Sequence, residues 1–406
     1  MEYLNNWPNG RYYNLSRECI MRIFIIVFLA LLSVFLLLYN MGAFGFGSII
    51  RNEHFNNFAK QRTRAVEQSP TWNIGVVNDE TNAMGREVSE GINRAIKLIN
   101  EQGGVKGKKI AVTFKNANDN YVKNKQYTQF FCDRMDTAYF IGAMASVQVK
   151  PTRTLTQFQA LPGITPISLI SPELDQLQPE IFSSLYEPFD VIMPPLIAFL
   201  KEKKYKNILL VSTQNIYDGG MLAMNLTDRL EKDSFFKDVF RINYSTPAQT
   251  TELYHSLKIF QENRNFDVIV FTDTPADLEV LGKVMQELKI SIPVVGMDSL
   301  DITDLAKYTV NFPADLYIVK YSGSLLLPEY EKMWQEKFSE KPKVWEQYGI
   351  ISCLIFKDAI NDLEHYDPQA LGAKIREMAK ARLKSKEYVF DAKVVKFEST
   401  AGPKKD

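Results

Sequence analysis

Cysteine and histidine are scarce, with three of each in 406 residues. Cys19, Cys132 and Cys353 have no metal-binding or redox spacing. Cys132 and Cys353 fall in apolar helical stretches and read as buried core thiols, with a disulfide outside the cytoplasm left open. His54, His255 and His365 are scattered, and none follows a strand, so no Ser/His or Cys/His pair is available to activate a nucleophile. Basic and acidic side chains balance at 48 each, which leaves no net positive charge for nucleic acid. Low-complexity tracts and solenoid repeats are missing, and no glycine-rich loop joins the carboxyl end of a strand to a helix. Gly103, Gly104 and Gly107 lie instead between a helix and the strand after it. They are turn residues on the edge of the sheet opposite to where a phosphate loop would sit. No cofactor and no metal is expected.

Charge itself is missing from one stretch. No residue between Arg22 and Arg51 is charged, and Ile23 to Leu38 is almost wholly aliphatic or aromatic, close to the roughly 20 apolar residues that cross a bilayer. No cysteine follows the run, so a lipoprotein signal is absent, and Gly45-Phe46-Gly47 is a weak cleavage site. The expectation is an amino-terminal flank at 1–22, a retained transmembrane helix or signal anchor at 23–47, and a polar juxtamembrane spacer at 48–70. Basic residues flank the run on both sides (Arg11, Arg17 and Arg22 before it, Arg51, Lys60, Arg62 and Arg64 after it), so the flanks do not set orientation.

Beyond Pro70 the chain has ordinary globular composition and enough length for about two domains. Asn73-Ile74-Gly75-Val76-Val77 reads as a buried parallel strand, and Val88, Ile92, Ala95, Ile96 and Ile99 recur behind it at helical spacing. Ile110–Phe114 completes a βαβ unit. Further apolar strands are expected at 139–144, 164–170, 207–212, 266–271, 292–296 and 315–320, each closing a helical segment. Such alternation means α/β architecture with parallel sheets covered by helices on both faces. The rhythm breaks at Pro188–Pro195, which reads as a crossing between two similar lobes. Three nearly consecutive helices around 329–338, 346–363 and 369–383 read as a return to the first sheet, and Glu387–Phe397 as a final hairpin or edge strand. Lobe 1 is thus expected at 71–190 and 321–384, and lobe 2 at 191–320 and 385–400.

Ligands of open α/β sheets bind outside the carboxyl ends of the strands. In lobe 1 those positions hold Asn78 to Gly85, including Met84, then Ser146, Val147 and Gln148, then Ser168 and Ser171. In lobe 2 they hold Ser212, Tyr217 and Asp218; Asp273 and Thr274; and Asp298. Hydroxyls come mainly from one half, carboxylates and a tyrosine from the other, which suits a small zwitterion whose carboxylate and ammonium need opposite partners. Each residue also has a plainer role: Ser146 as cap of a helix starting near Pro151, Asp273 as cap of one starting at Pro275, Tyr217 as a crevice lining. Asp298 directly follows a buried strand and has another candidate cap, Asp301, beside it.

The run Gly91-Ile92-Asn93-Arg94-Ala95-Ile96-Lys97-Leu98-Ile99-Asn100-Glu101-Gln102-Gly103-Gly104-Val105-Lys106-Gly107-Lys108-Lys109 resembles type I periplasmic binding proteins of the leucine/isoleucine/valine-binding branch. The likeness continues in Ile141-Gly142-Ala143 with Ser146, in Ile167-Ser168, in Asn215 to Gly220 and in Val344-Trp345-Glu346-Gln347-Tyr348. It implies two doubly wound lobes with a ligand cleft between them. It further implies that Ser146–Gln148 and Ser168–Ser171 face a ligand carboxylate, that Tyr217 and Asp273 or Thr274 come from the second lobe, and that Asp298 takes the amine. The chain departs from the pattern at Ile170 and Met84, where threonine and an aromatic are usual, and in lacking the first-lobe disulfide. Those departures weigh against a standard branched-chain amino acid. The implied role is a solute-binding protein facing the periplasm or cell exterior that serves an ABC transporter permease. The alternative is a membrane-anchored sensing or protein-interaction module of the same fold.

Overall fold

The structure, a computed structural model, describes residues 28, 33, 46–81, 83–118, 120–168, 181–186, 188–214, 219–245, 249–384 and 390–398. The chain forms two compact units, Met1–Asn57 and Phe58–Asp406. Most of the expected anchor at 23–47 lies outside the described residues, and among the described residues no helix is long and apolar enough to cross a membrane.

Helix α1 covers Phe46–Gln68, most of the stretch expected as a spacer. Its carboxyl-terminal part packs on the domain through fully buried Val66 and Arg62. The Arg62 guanidinium donates to Cys132 O (2.7 Å), Thr137 O (2.9 Å), Arg134 O (3.0 Å) and twice to Gln159 O (3.2 and 3.3 Å). Most of these oxygens belong to the last turns of two helices, where unsatisfied carbonyls gather the negative end of the helix dipole. A polar composition hid this contact because the buried polar group is itself a charged residue.

Lobe 1 opens with β1 (Thr71–Asn78), α2 (Ala83–Glu101), β2 (Lys109–Asn116), α3 (Tyr121–Asp133), β3 (Thr137–Ile141), α4 (Ser146–Phe158), β4 (Gly163–Thr165) and β5 (Phe182–Ser184). Lobe 2 follows with α5 (Pro188–Val191), α6 (Met193–Glu202), β6 (Asn207–Thr213), α7 (Gly219–Glu231), β7 (Asp238–Tyr244), α8 (Thr250–Asn263), β8 (Val268–Phe271), α9 (Pro275–Glu287), β9 (Val294–Gly296) and β10 (Leu316–Gly323). Three helices close the chain before its last strand: α10 (Pro328–Phe338), α11 (Val344–Asp362), α12 (Pro368–Lys384) and then β11 (Phe390–Lys396).

The first sheet runs β2-β1-β3-β4-β5 and the second β11-β10-β9-β8-β6-β7. All pairs are parallel except β10 with β11, which is antiparallel at the edge. In each sheet the order reverses beside its first strand, so the topological switch points lie between β1 and β3 and between β6 and β8. The chain passes between the sheets three times: after β5, after β10 and after α12.

The returning helix α11 lies directly on α2. A Cβ on Gly91 would fall 2.1 Å from Glu346 O, and one on Gly349 would fall 2.2 Å from Val88 O. Each helix therefore presents a glycine where the partner's backbone arrives, and ordinary side chains would force them apart. Apolar strand centres with α2 and α11 make one large core, while separate clusters fill the far face of each sheet.

Candidate functional site

The loop after β1 is held by its own polar groups. Asn78 Nδ2 donates to Ser89 Oγ (2.9 Å) and Glu80 Oε1 (3.1 Å), while Asp79 Oδ1 accepts from the Thr81 N–H at 2.9 Å and from its hydroxyl. Met84, in the first turn of α2, is half-buried against the main core. Across the switch point, α4 starts at Ser146, five residues before Pro151, with Ala145 as its N-cap, which makes no side-chain capping bond. Ser146 thus opens the helix instead of capping one near Pro151, and Ser146 and Val147 begin a first turn whose N–H groups are of the kind that receives an anion, while the Gln148 N–H donates to Ala145 O at 2.9 Å. Gln148 is buried.

Ser168 is fully buried and donates to Ala143 O at 3.2 Å, beside Thr165 Oγ1, which donates to the same oxygen at 2.7 Å. Its hydroxyl thereby props the turn that leads into α4. Ser171 and Tyr217 lie outside the described residues.

In lobe 2, Asp273 serves its own lobe. Its Oδ2 accepts from the Thr213 N–H (2.7 Å) and the Tyr244 hydroxyl (2.8 Å), tying together the ends of β6, β7 and β8. The start of α7 lies against the same carboxylate: a Cβ on Gly219 would meet Asp273 Oδ1 at 1.9 Å. The cap of α9 is the next residue, Thr274, whose hydroxyl accepts from Asp277 N at 3.3 Å and donates to Asp277 Oδ2 at 2.9 Å. The capping role considered for Asp273 therefore belongs to its neighbour, and the aspartate fastens strand ends.

Asp298 stands apart. It is fully buried, and its Oδ2 accepts from two phenols, Tyr186 Oη and Tyr321 Oη, each at 2.7 Å. Tyr186 follows β5 of lobe 1, whereas Tyr321 lies within β10 of lobe 2. Oδ1 meets no hydrogen-bond donor among the described residues. Burial pushes the Asp298 carboxyl up to about 6, against the opposing pull of the Tyr321 and Tyr186 hydroxyls, and the same burial holds both phenols well above their ordinary value. Tyr348 of α11 packs edge-on to Tyr186, with ring centroids 6.5 Å apart.

The segment after Asp298 continues the contact with lobe 1. Trp345 Nε1 donates to Asp301 O (2.8 Å), Thr303 Oγ1 to Glu87 Oε1 (3.0 Å), and Arg86 pairs with Asp304 at 3.1 Å. Burial raises the Glu87 carboxyl, with the Thr303 hydrogen bond opposing it. None of Tyr186, Tyr321 or Glu87 is legible in the sequence as a site residue. Tyr186 follows a three-residue strand with no sequence signal of its own, and Tyr321 sits inside a strand instead of after one.

Comparison with known proteins decides the lineage. A family model described as periplasmic binding protein matches residues 71–393, most of the chain. The chain belongs to the periplasmic binding protein family. Among solved structures with this fold, a leucine-binding protein of Thermotoga maritima is 16% identical, with a TM-score of 0.64 over 75% of this chain and 87% of that one. A branched-chain amino acid transporter substrate-binding protein of Streptococcus pneumoniae, in complex with isoleucine, is 14% identical with a TM-score of 0.59, covering 80% and 100%. A type 1 periplasmic binding protein of Bordetella pertussis is 18% identical with a TM-score of 0.60, covering 75% and 88%. No curated protein matches the sequence. As a periplasmic binding protein the chain carries two α/β lobes whose strand ends supply the loops described above, and at these identities the solved structures share its fold alone.

Proposed function

We propose that this periplasmic binding protein is an extracytoplasmic solute-binding protein that closes two lobes on a small polar molecule, an amino acid or amide, and delivers it unaltered to an ABC transporter. The observation that carries this reading is the first turn of α4 at the switch point of lobe 1, whose N-cap residue Ala145 offers no side-chain bond and which opens on the loops where such folds bind ligands. The apolar segment 23–47 would anchor the chain, with the lobes facing the periplasm or cell exterior. The leucine and isoleucine binders of the same fold support an amino-acid-like solute.

A second reading, a membrane-anchored sensing or interaction module, is favoured by one observation: Asp298, the expected partner of a ligand amine, is already bonded across the lobes by Tyr186. Thermal unfolding of the full chain against a library of amino acids, amides and uncharged polar solutes tests both. A true ligand at a hundred times its Kd adds about 2.7 kcal/mol of stability and raises Tm by several degrees. If no amino acid or amide moves Tm, the transport reading fails and the sensing module stands.

A further inference from the structure

The contacts around Asp298 join parts of the chain that a hinge must separate. Tyr186 belongs to lobe 1, while Asp298 and Tyr321 belong to lobe 2, so opening the cleft must break the Tyr186–Asp298 bond and leave the Tyr321–Asp298 bond in place. The neighbouring interlobe contacts are of two other kinds. Arg86–Asp304 is a partly exposed ion pair that water readily replaces, and Trp345–Asp301 and Thr303–Glu87 are single hydrogen bonds. Among these contacts, only Asp298 places a carboxyl at full burial on the dividing line.

We infer that Tyr186, Asp298 and Tyr321 form a proton-gated latch between the lobes, in which proton uptake by Asp298 favours the closed arrangement and ionisation releases lobe 1 from lobe 2. This inference rests on the two-lobed binding reading and adds regulation to it.

Ionised and closed, the carboxylate bears its charge in a dry site, with two phenols on one oxygen and no donor among the described residues on the other. Opening gives Oδ1 water. Protonated, the group loses that penalty, and with the proton on Oδ1 the two phenols still donate to Oδ2. The groups that face it do not supply a counter-charge. Tyr186, Tyr321 and Tyr348 are neutral phenols held above their ordinary range by burial, and Asp301 adds a like charge. The nearby cation, Lys320, lies 3.7 Å from Asp301, to which it is paired. With the carboxyl near 6 when closed and near its ordinary 3.8 when solvated, closure takes up a proton between those values. The closed-to-open ratio then falls by up to about a hundredfold as pH rises through that window and is flat above it, since a carboxyl moved from 3.8 to about 6 is about that much harder to ionise.

The test uses the full chain in detergent without solute. Donor and acceptor dyes are placed at Lys125→Cys in lobe 1 and Glu262→Cys in lobe 2 on a Cys19→Ser background, while Cys132 and Cys353 are buried and protected. Energy transfer should be flat from pH 8 to about 6 and should report increasing closure as pH drops from there to 4. Asp298→Asn should lose the transition and stay at the acid end, and Tyr186→Phe should lower the closed population at acid pH, with circular dichroism confirming that each remains folded. Transfer that is flat from pH 8 to 4 overturns the latch, as does an Asp298→Asn protein that titrates like the parent. Because no solute is present, either outcome leaves the solute-binding proposal standing, and failure of the ligand screen leaves this measurement intact.

Discussion

Two aspartates of lobe 2, Asp273 and Asp298, follow neighbouring parallel strands and occupy equivalent places in the sheet, yet they do opposite work. Asp273 accepts a backbone N–H and a phenol from its own lobe, and a glycine clears space beside it. Asp298 accepts phenols from both lobes and keeps one oxygen without a donor among the described residues. The first makes the loop cluster rigid. The second joins the loop to the other lobe. A shared topological address thus places a carboxylate near a ligand cleft, but the partners of each oxygen decide whether it is architecture or mechanism.

The sharpest break in this comparison is Asp273→Ala. It strands the Thr213 N–H and the Tyr244 hydroxyl in a buried setting, each costing about 1–3 kcal/mol, so a loss of about 3 kcal/mol is expected in denaturant unfolding. A loss below about 1 kcal/mol would mean that water replaces the carboxylate freely and that the two aspartates do not differ as described. Next comes Gly219→Ala, whose methyl collides with Asp273 Oδ1 and leaves Asp298 untouched. Overpacking of this kind costs about 1–3 kcal/mol, read as a lowered denaturation midpoint with an unchanged m-value.

The smallest effect should come from Asp298→Asn, and its sign depends on pH. The folded carboxyl titrates near 6 and the unfolded one near 3.8, so its favourable contribution is fully present below 3.8, is lost as pH rises to 6, and leaves a constant penalty above. Asparagine mimics the neutral acid. At pH 7.5 the variant should equal or exceed the parent in stability by about 1–2 kcal/mol, and the difference should vanish by pH 4. A variant less stable than the parent at pH 7.5 would place Asp298 in the same structural class as Asp273.

Much of the fold is readable because parallel strands buried on both faces are short apolar runs. Ile74–Val77, Leu209–Val211 and Val268–Phe271 have no other plausible state. The strands that escaped detection lack that mark. β7 interleaves Asp238, Arg241 and Asn243 with its apolar residues because it is an edge strand, and β5 has only three residues. The candidate positions are readable to the extent that strand ends are readable: Ser146, Gln148, Ser168, Asp273 and Asp298 all lie beyond the carboxyl ends of strands, the first two in the opening turn of α4. What each hydroxyl or carboxylate binds depends on chain brought in from far away, as Tyr186 is to Asp298, and no local pattern encodes a partner 112 residues distant.

Among the described residues the Arg62 guanidinium donates only to main chain. Its donors end on carbonyl oxygens of Cys132, Arg134, Thr137 and Gln159, which every amino acid carries. The side chains at those four positions therefore answer to their own surroundings, core packing for Cys132 and Thr137 and an ion pair with Asp136 for Arg134, and not to the joint. Arg62 has no such freedom, because lysine offers one compact ammonium where a planar fork spans two helix ends. Variation among relatives should accordingly be lopsided at this joint, set on the receiving side by those surroundings alone and narrow at the single donor.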